Sequence, residues 1–143
     1  MFASRRSPVA RVLVVDDEET QVRLLVAGLE HEGFEALGTR DPDSVLDMLA
    51  RQTADVALVD LMMPGMNGIE LARKIRDGFP QVRVVLTSAY HLSERQLSRA
   101  DCGVVGFVPK PYVLPELADF LRAKIARLTP VPSTRSSARL IAS

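Results

Sequence analysis

The stretch VALVDLMMPGMNG, Val56 to Gly68, decides how this chain is read. Its first four residues are continuously apolar, as a strand buried on both faces should be. The run then stops on a bare carboxylate, Asp60. Beyond it, Pro64, Gly65 and Gly68 shape a tight loop that leads into the helical pattern GIELARKIRDG. An acid at the end of a buried strand loses solvation energy unless a partner compensates it. The remainder of the chain must supply that partner.

Working outward, strand-like and helix-like stretches alternate. RVLVV (Arg11–Val15) reads as a first buried strand. Next, EETQVRLLVAGLEHEG places Val22, Leu25, Val26 and Leu29 at helical spacing and ends at Gly33, a C-terminal stop. FEALG is a second strand. DPDSVLDMLARQ opens with Asp41 as an N-cap and Pro42 at the first helical position. After the third strand, VALVD, the third helix stops near Gly78 and Pro80. VRVVLT is a fourth strand, SERQLSRAD a short helix starting from Ser93, and VVGFV a fifth strand. Leu117, Phe120, Leu121 and Ile125 mark a last helix ending near Leu128. Five strands alternating with five helices predict an α/β, doubly wound parallel sheet, covered on both faces and joined by right-handed crossovers. The expected organisation is an N-terminal extension over 1–9, one domain over 10–128, and a Pro/Ser/Arg-rich tail or linker over 129–143.

Bulk properties narrow the function classes. The 143 residues suit one domain with a proper core, and 47% apolar with 25% charged residues is ordinary for a globular protein. Eighteen basic and 18 acidic residues cancel, which argues against nucleic acid or an anionic membrane as the main partner. Arg135 and Arg139 in the tail are too few to change that. The lone Cys102 excludes a disulfide framework and a cysteine metal site, and reads as a packing residue. No signal-peptide run and no stretch of roughly 18 apolar residues occurs, so a soluble, cytoplasmic protein is expected.

The informative polar residues fall at strand ends, where open parallel sheets bind ligands. Asp16 and Asp17 follow the first strand, Asp60 ends the third, Thr87 and Ser88 end the fourth, and Lys110 follows the fifth. If the first and third strands are neighbours, about 4.8 Å apart, the three carboxylates converge. Each pair 4 Å apart then costs on the order of 4 kcal/mol at an effective dielectric of 20. A hard cation held by oxygen ligands, Mg²⁺ or Mn²⁺, relieves this. Lys110 adds a positive charge opposite. The cluster reads as a metal site with room for an anion, most simply a phosphoryl group. Asp60 is then a nucleophile able to hold an acyl phosphate, with Lys110 and the Ser88 hydroxyl neutralising the transferred oxygens.

Plainer readings exist for the same residues. Asp16 and Asp17 could cap the first helix, Met62, Met63 and Met66 could be loop and core filler, and Lys110 an ordinary surface lysine. Against the last stands its rarity, since only three of the 18 basic residues are lysines. His31 and His91 read as surface residues.

The motifs VLVVDDE, VALVDLMMPGMNGIEL, VVLTSAY and GFVPKP, in that order, closely resemble the receiver domain of two-component response regulators, chemotaxis-type single receivers included. The resemblance runs from about Arg11 to Leu128. It implies a flavodoxin-like (βα)5 fold with strand order 2-1-3-4-5. It further implies that Asp60 accepts a phosphoryl group from a phosphohistidine of a histidine kinase or histidine phosphotransfer protein, in a Mg²⁺-dependent reaction. Asp17 would ligate the metal directly, Asp16 mainly through water, and Met62 through its backbone carbonyl. Ser88, which is 88 − 60 = 28 residues past the acceptor, fills the hydroxyl position, with Thr87 its rival. Lys110 would pair with the phosphoryl group, and Lys110–Pro111 would be a cis peptide.

By the same resemblance, Ser88 and Phe107 form a switch pair, in which Phe107 turns inward once Ser88 moves. Output would pass from the surface of the fourth helix, fifth strand and fifth helix to a downstream protein or a missing output domain. Met62 and Tyr90 would tune loss of the label, and their bulk suggests slow hydrolysis. The protein is thus expected to be a signalling switch rather than an enzyme, although it would phosphorylate and dephosphorylate itself. A phosphorylation-dependent dimer is left open, as is whether the chain is a whole protein or a fragment. Two other classes compete. One is a receiver-like docking module that never takes phosphate. The other is an aspartate-nucleophile phosphatase, with Asp16 as nucleophile and Glu18 in the second acid position.

Overall fold

The computed structural model describes residues 9–90 and 92–126. His91, most of the expected extension and the expected tail lie outside the described residues. Five strands form one parallel sheet in the order β2-β1-β3-β4-β5. They are β1 (Arg11–Val15), β2 (Glu35–Thr39), β3 (Val56–Asp60), β4 (Arg83–Ser88) and β5 (Val104–Pro109). The helices are α1 (Glu19–His31), α2 (Val45–Arg51), α3 (Gly68–Gly78), α4 (Glu94–Ala100) and α5 (Leu114–Ala126).

Alternation along the strands sends side chains to two cores. Leu13, Val15, Ala57, Val59, Val84 and Leu86 pack under α2, α3 and α4, where Leu49, Leu71, Ile75 and Leu97 meet them. Val12, Val14, Val56, Leu58 and Val85 pack under α1 and α5, against Leu25, Leu29, Leu117 and Leu121. The central strand β3 is buried along its whole length. Its one leucine, the fully buried Leu58, contributes about 1.5–3 kcal/mol of transfer free energy. Cys102 is buried in the first core.

Helix starts follow local chemistry. Asn67 and Glu70 form a reciprocal capping box at α3, and Ser93 and Gln96 form another at α4. The expectation of a helix starting at Pro42 needs correction. Asp41 does cap, accepting from the Asp43 N–H, but residues Pro42–Ser44 form a 3₁₀ turn and α2 starts only at Val45. Tightening that turn lets Thr39 and Ser44 share hydroxyl contacts at 3.1 Å. Gly33, just past α1, has φ +100°, the left-handed backbone that favours glycine. At the far side of the molecule, Arg73 donates to the Ala100 carbonyl and Arg76 to the Asp101 carbonyl at 2.9 Å, closing the carboxyl end of α4.

Candidate functional site

The register places the acids. β1 pairs with β3 from Val12 against Val56 to Val15 against Val59, so residues just past Val15 and Val59 leave the sheet side by side. Asp16, Asp17 and Asp60 each offer a carboxylate oxygen, and these atoms lie within 4.8 Å of one another. Asp16 and Asp60 are buried, at 2% and 7% exposure, while Asp17 is half-buried. Neither Asp16 nor Asp17 is the N-cap of α1. That position is Glu18, whose side chain makes no cap, although Asp16 Oδ1 accepts the Glu18 N–H at 2.9 Å.

The compensating partner is Lys110. Its Nζ lies 3.4 Å from Asp16 Oδ2 and 3.7 Å from Asp60 Oδ2. The lysine is held at its backbone, where its N–H donates to the Ser88 carbonyl at 2.9 Å, and the Lys110–Pro111 peptide is cis. Burial pushes the Asp60 carboxyl above its usual range. The Lys110 ammonium and the Met62 N–H, 3.3 Å from Asp60 Oδ1, pull it back, and the charges of Asp16 and Asp17 raise it again. The net direction is up. One lysine therefore does not balance three acids, and the donor set of clustered carboxylates fits a hard cation.

The loop after Asp60 is shaped from below. The Gly68 N–H donates to the Leu61 carbonyl at 2.8 Å, and a Cβ on Gly68 would stand 2.7 Å from the Asp60 carbonyl oxygen and 2.8 Å from Leu61 Cα. Only glycine lets the first turn of α3 approach the acid-bearing backbone so closely. Gly65, at φ +86°, makes the preceding turn. Of the three methionines, Met63 is buried, Met66 half-buried against the core, and Met62 exposed beside the acids.

Ser88, the last residue of β4, is buried, and its hydroxyl accepts the Tyr90 N–H at 3.0 Å. Its rival, Thr87, alternates to the α1/α5 face, and its hydroxyl has no partner among the described residues. Phe107 is buried in the core under α2, α3 and α4. Tyr90 is exposed, as is His31. Sequence reasoning missed Tyr112, two residues beyond Lys110. Its hydroxyl is buried without a partner among the described residues, and its ring packs against the α1/α5 core. Burial first, then the charges of Asp16 and Asp60, push its phenol up to about 12. The only signal in the sequence was an aromatic hydroxyl directly after a site motif.

A parallel five-stranded sheet with acids and a lysine gathered at its carboxyl edge defines a receiver. The chain belongs to the response regulator receiver domain family, which matches residues 12–122. Response regulator MprA from Mycolicibacterium vanbaalenii is 33% identical over 131 residues, covering 91% of this chain. MprA from Mycobacterium tuberculosis H37Rv is 34% identical over 131 residues, covering 90%. The chain spans only 56% of the length of either relative. Among solved structures, a response regulator from Thermotoga maritima superposes with a TM-score of 0.74 at 26% identity, covering 83% of this chain and 99% of that one. A CheY-like receiver domain protein from Methanospirillum hungatei shares the fold, with a TM-score of 0.76 at 24% identity over 83% of this chain and 95% of that one. Among the described residues no helix is long and apolar enough to cross a membrane.

Proposed function

We propose that this receiver is a phosphorylation-controlled switch in which Asp60 takes a phosphoryl group from a phosphohistidine of a sensor kinase or phosphotransfer protein. The observation that carries the reading is the Lys110 ammonium bridging two buried carboxylates, Asp16 and Asp60, in a cluster of three. Asp17, Asp60 and the Met62 carbonyl would hold Mg²⁺ directly and Asp16 through a water, with Mn²⁺ an acceptable substitute. When bound, the cation neutralises the carboxylates and the oxygens of the transferred group.

An Asp60 carboxylate oxygen attacks phosphorus and the phosphorus–nitrogen bond breaks. Its electron pair returns to the imidazole nitrogen, which takes up a proton. Lys110 leaves the carboxylates for the new phosphoryl oxygens, and the Ser88 hydroxyl donates to one of them. Phe107 is already inside, so the movement of Ser88 needs only to hold it there. The surface formed by α4, β5 and α5 is the output face toward a downstream protein or an output domain. Met62 and Tyr90, both exposed beside the site, screen the acyl phosphate from water and lengthen its life.

Intact mass after acetyl phosphate and Mg²⁺ tests this. Wild type should gain about 80 Da, one phosphoryl group, and Asp60→Asn nothing. No gain in folded, metal-loaded wild type would instead make the protein a docking module. A gain retained by Asp60→Asn would move the nucleophile to another acid, as the phosphatase reading requires of Asp16.

A further inference from the structure

Resting on that reading, we infer that Arg40 is a positioning residue whose guanidinium holds the Asp17 backbone in place for the cation. The three acids are not held alike. Asp60 and Asp16 are buried, and Asp16 is tied further, through Oδ1 to the Glu18 N–H and through Oδ2 to Lys110. Asp17 is only half-buried, so packing fixes it least, yet the reading gives it a direct bond to the metal. Its place depends on how the backbone between β1 and α1 is held.

The end of β2 holds that backbone at two consecutive points. The Thr39 carbonyl accepts the Asp16 N–H at 3.2 Å, and Arg40 Nε donates to the Asp17 carbonyl at 3.4 Å. Arg40 Nη1 also lies 3.6 Å from Glu19 Oε1, while Arg23 secures the other oxygen of Glu19 at 3.2 Å. The guanidinium therefore lands on both sides of Glu18, on the carbonyl of a cluster acid and on the first residue of α1. A planar fork makes both contacts at once, which a single ammonium does not. The loop that carries Arg40 is itself braced. Thr39 Oγ1 accepts the Asp41 N–H at 3.0 Å and meets Ser44 Oγ at 3.1 Å, and the Asp41 carboxylate caps the 3₁₀ turn. Each Arg40 contact is weak alone and the side chain is 59% exposed, so its removal should scarcely change global stability. The effect is local, because freedom in the Asp17 backbone is freedom in a metal ligand.

Charge and position make opposite demands on this arginine. A cation near three carboxylates repels Mg²⁺ through space, so deleting a bystander charge tightens metal binding. Deleting a positioning residue weakens it. The probe is Mn²⁺, with the free ion counted by its electron paramagnetic resonance signal and Mg²⁺ brought in by competition. Arg40→Gln is expected to raise the dissociation constant of either ion about threefold to tenfold, while its melting temperature in chelator stays within about 2 °C of wild type. Arg40→Lys keeps the charge without the fork and should recover only part of that loss. An unchanged or lower dissociation constant in Arg40→Gln would overturn the inference while leaving the phosphorylation reading intact, and so would equality of Arg40→Lys with wild type. A fall in affinity matched by a fall of many degrees in melting temperature would make Arg40 a structural residue only and sink the proposal. Failure of folded wild type to bind either ion would instead overturn the metal-dependent reading beneath it.

Discussion

The third and fifth strands carry the two ends of the same ion pair, yet they are built in opposite ways. β3 is flanked on both sides by β1 and β4 and buried at every residue, and Asp60 is its last member. β5 is one of the two edge strands, half-buried at four of its six residues, and Lys110 follows its end. Asp60, the proposed acceptor, is thus fixed to the most fully buried strand of the sheet. Its cationic partner follows an edge strand that pairs with β4 alone. The proposed phosphoryl transfer would need a nucleophile held still and a counter-charge able to follow the new oxygens, and the two strands would divide those requirements between them.

That contrast can be broken at several points. Lys110→Ala should have the largest effect on chemistry. Acetyl phosphate labelling, followed by intact mass over time, is expected to slow about a hundredfold to a thousandfold, and loss of the counter-charge to two buried carboxylates should also lower stability by about 1–3 kcal/mol without Mg²⁺. Truncations in the two strands should then differ. Leu58→Ala in β3 is expected to lower unfolding free energy in urea by about 2–5 kcal/mol, and Val105→Ala in β5 by about 1 kcal/mol. Equal losses would remove the distinction between the strands. Gly68→Ala puts a methyl against backbone rather than a flexible side chain. It should cost about 1–3 kcal/mol and slow labelling as well, since the displaced atoms carry Asp60.

The smallest effect is electrostatic and has the opposite sign. Asp60 has a folded pKa raised above its ordinary 3.8, so the stability tied to its neutral form is present at low pH and is lost as pH rises through the folded value. Asp60→Asn escapes that loss. In chelator at pH 7 it should melt a few degrees above wild type, with the gap closing on acidification below pH 4. Saturating Mg²⁺ should also shrink the gap by stabilising wild type more.

Much of this was legible in the sequence because the strands are short, continuous apolar runs ending on charged residues. Val56–Val59 followed by Asp60 reads as a buried strand and an acid at its carboxyl end with no coordinates at all. The neighbourhood of β1 and β3 is different. Strand order is a long-range property that periodicity does not encode, and it came from the resemblance of four motifs. The 3₁₀ turn at Pro42–Ser44 was hidden because the same Asp-Pro start serves either helix type. Tyr112 was hidden for a deeper reason. Its burial depends on the path of the loop after Lys110 and on α5 packing back over it, neither of which leaves a local pattern.

Cys102 has a practical consequence of another kind. It is the only sulfur nucleophile in the chain, and it is buried at 2% exposure. A buried thiol reacts slowly with alkylating reagents. The protein therefore offers a nearly silent background for site-directed labelling, and an exposed position such as Val113 could be changed to cysteine and dyed alone. A fluorophore there would sit on the loop between Lys110 and α5. Its emission would give a real-time optical record of what that loop does when the acid cluster is filled.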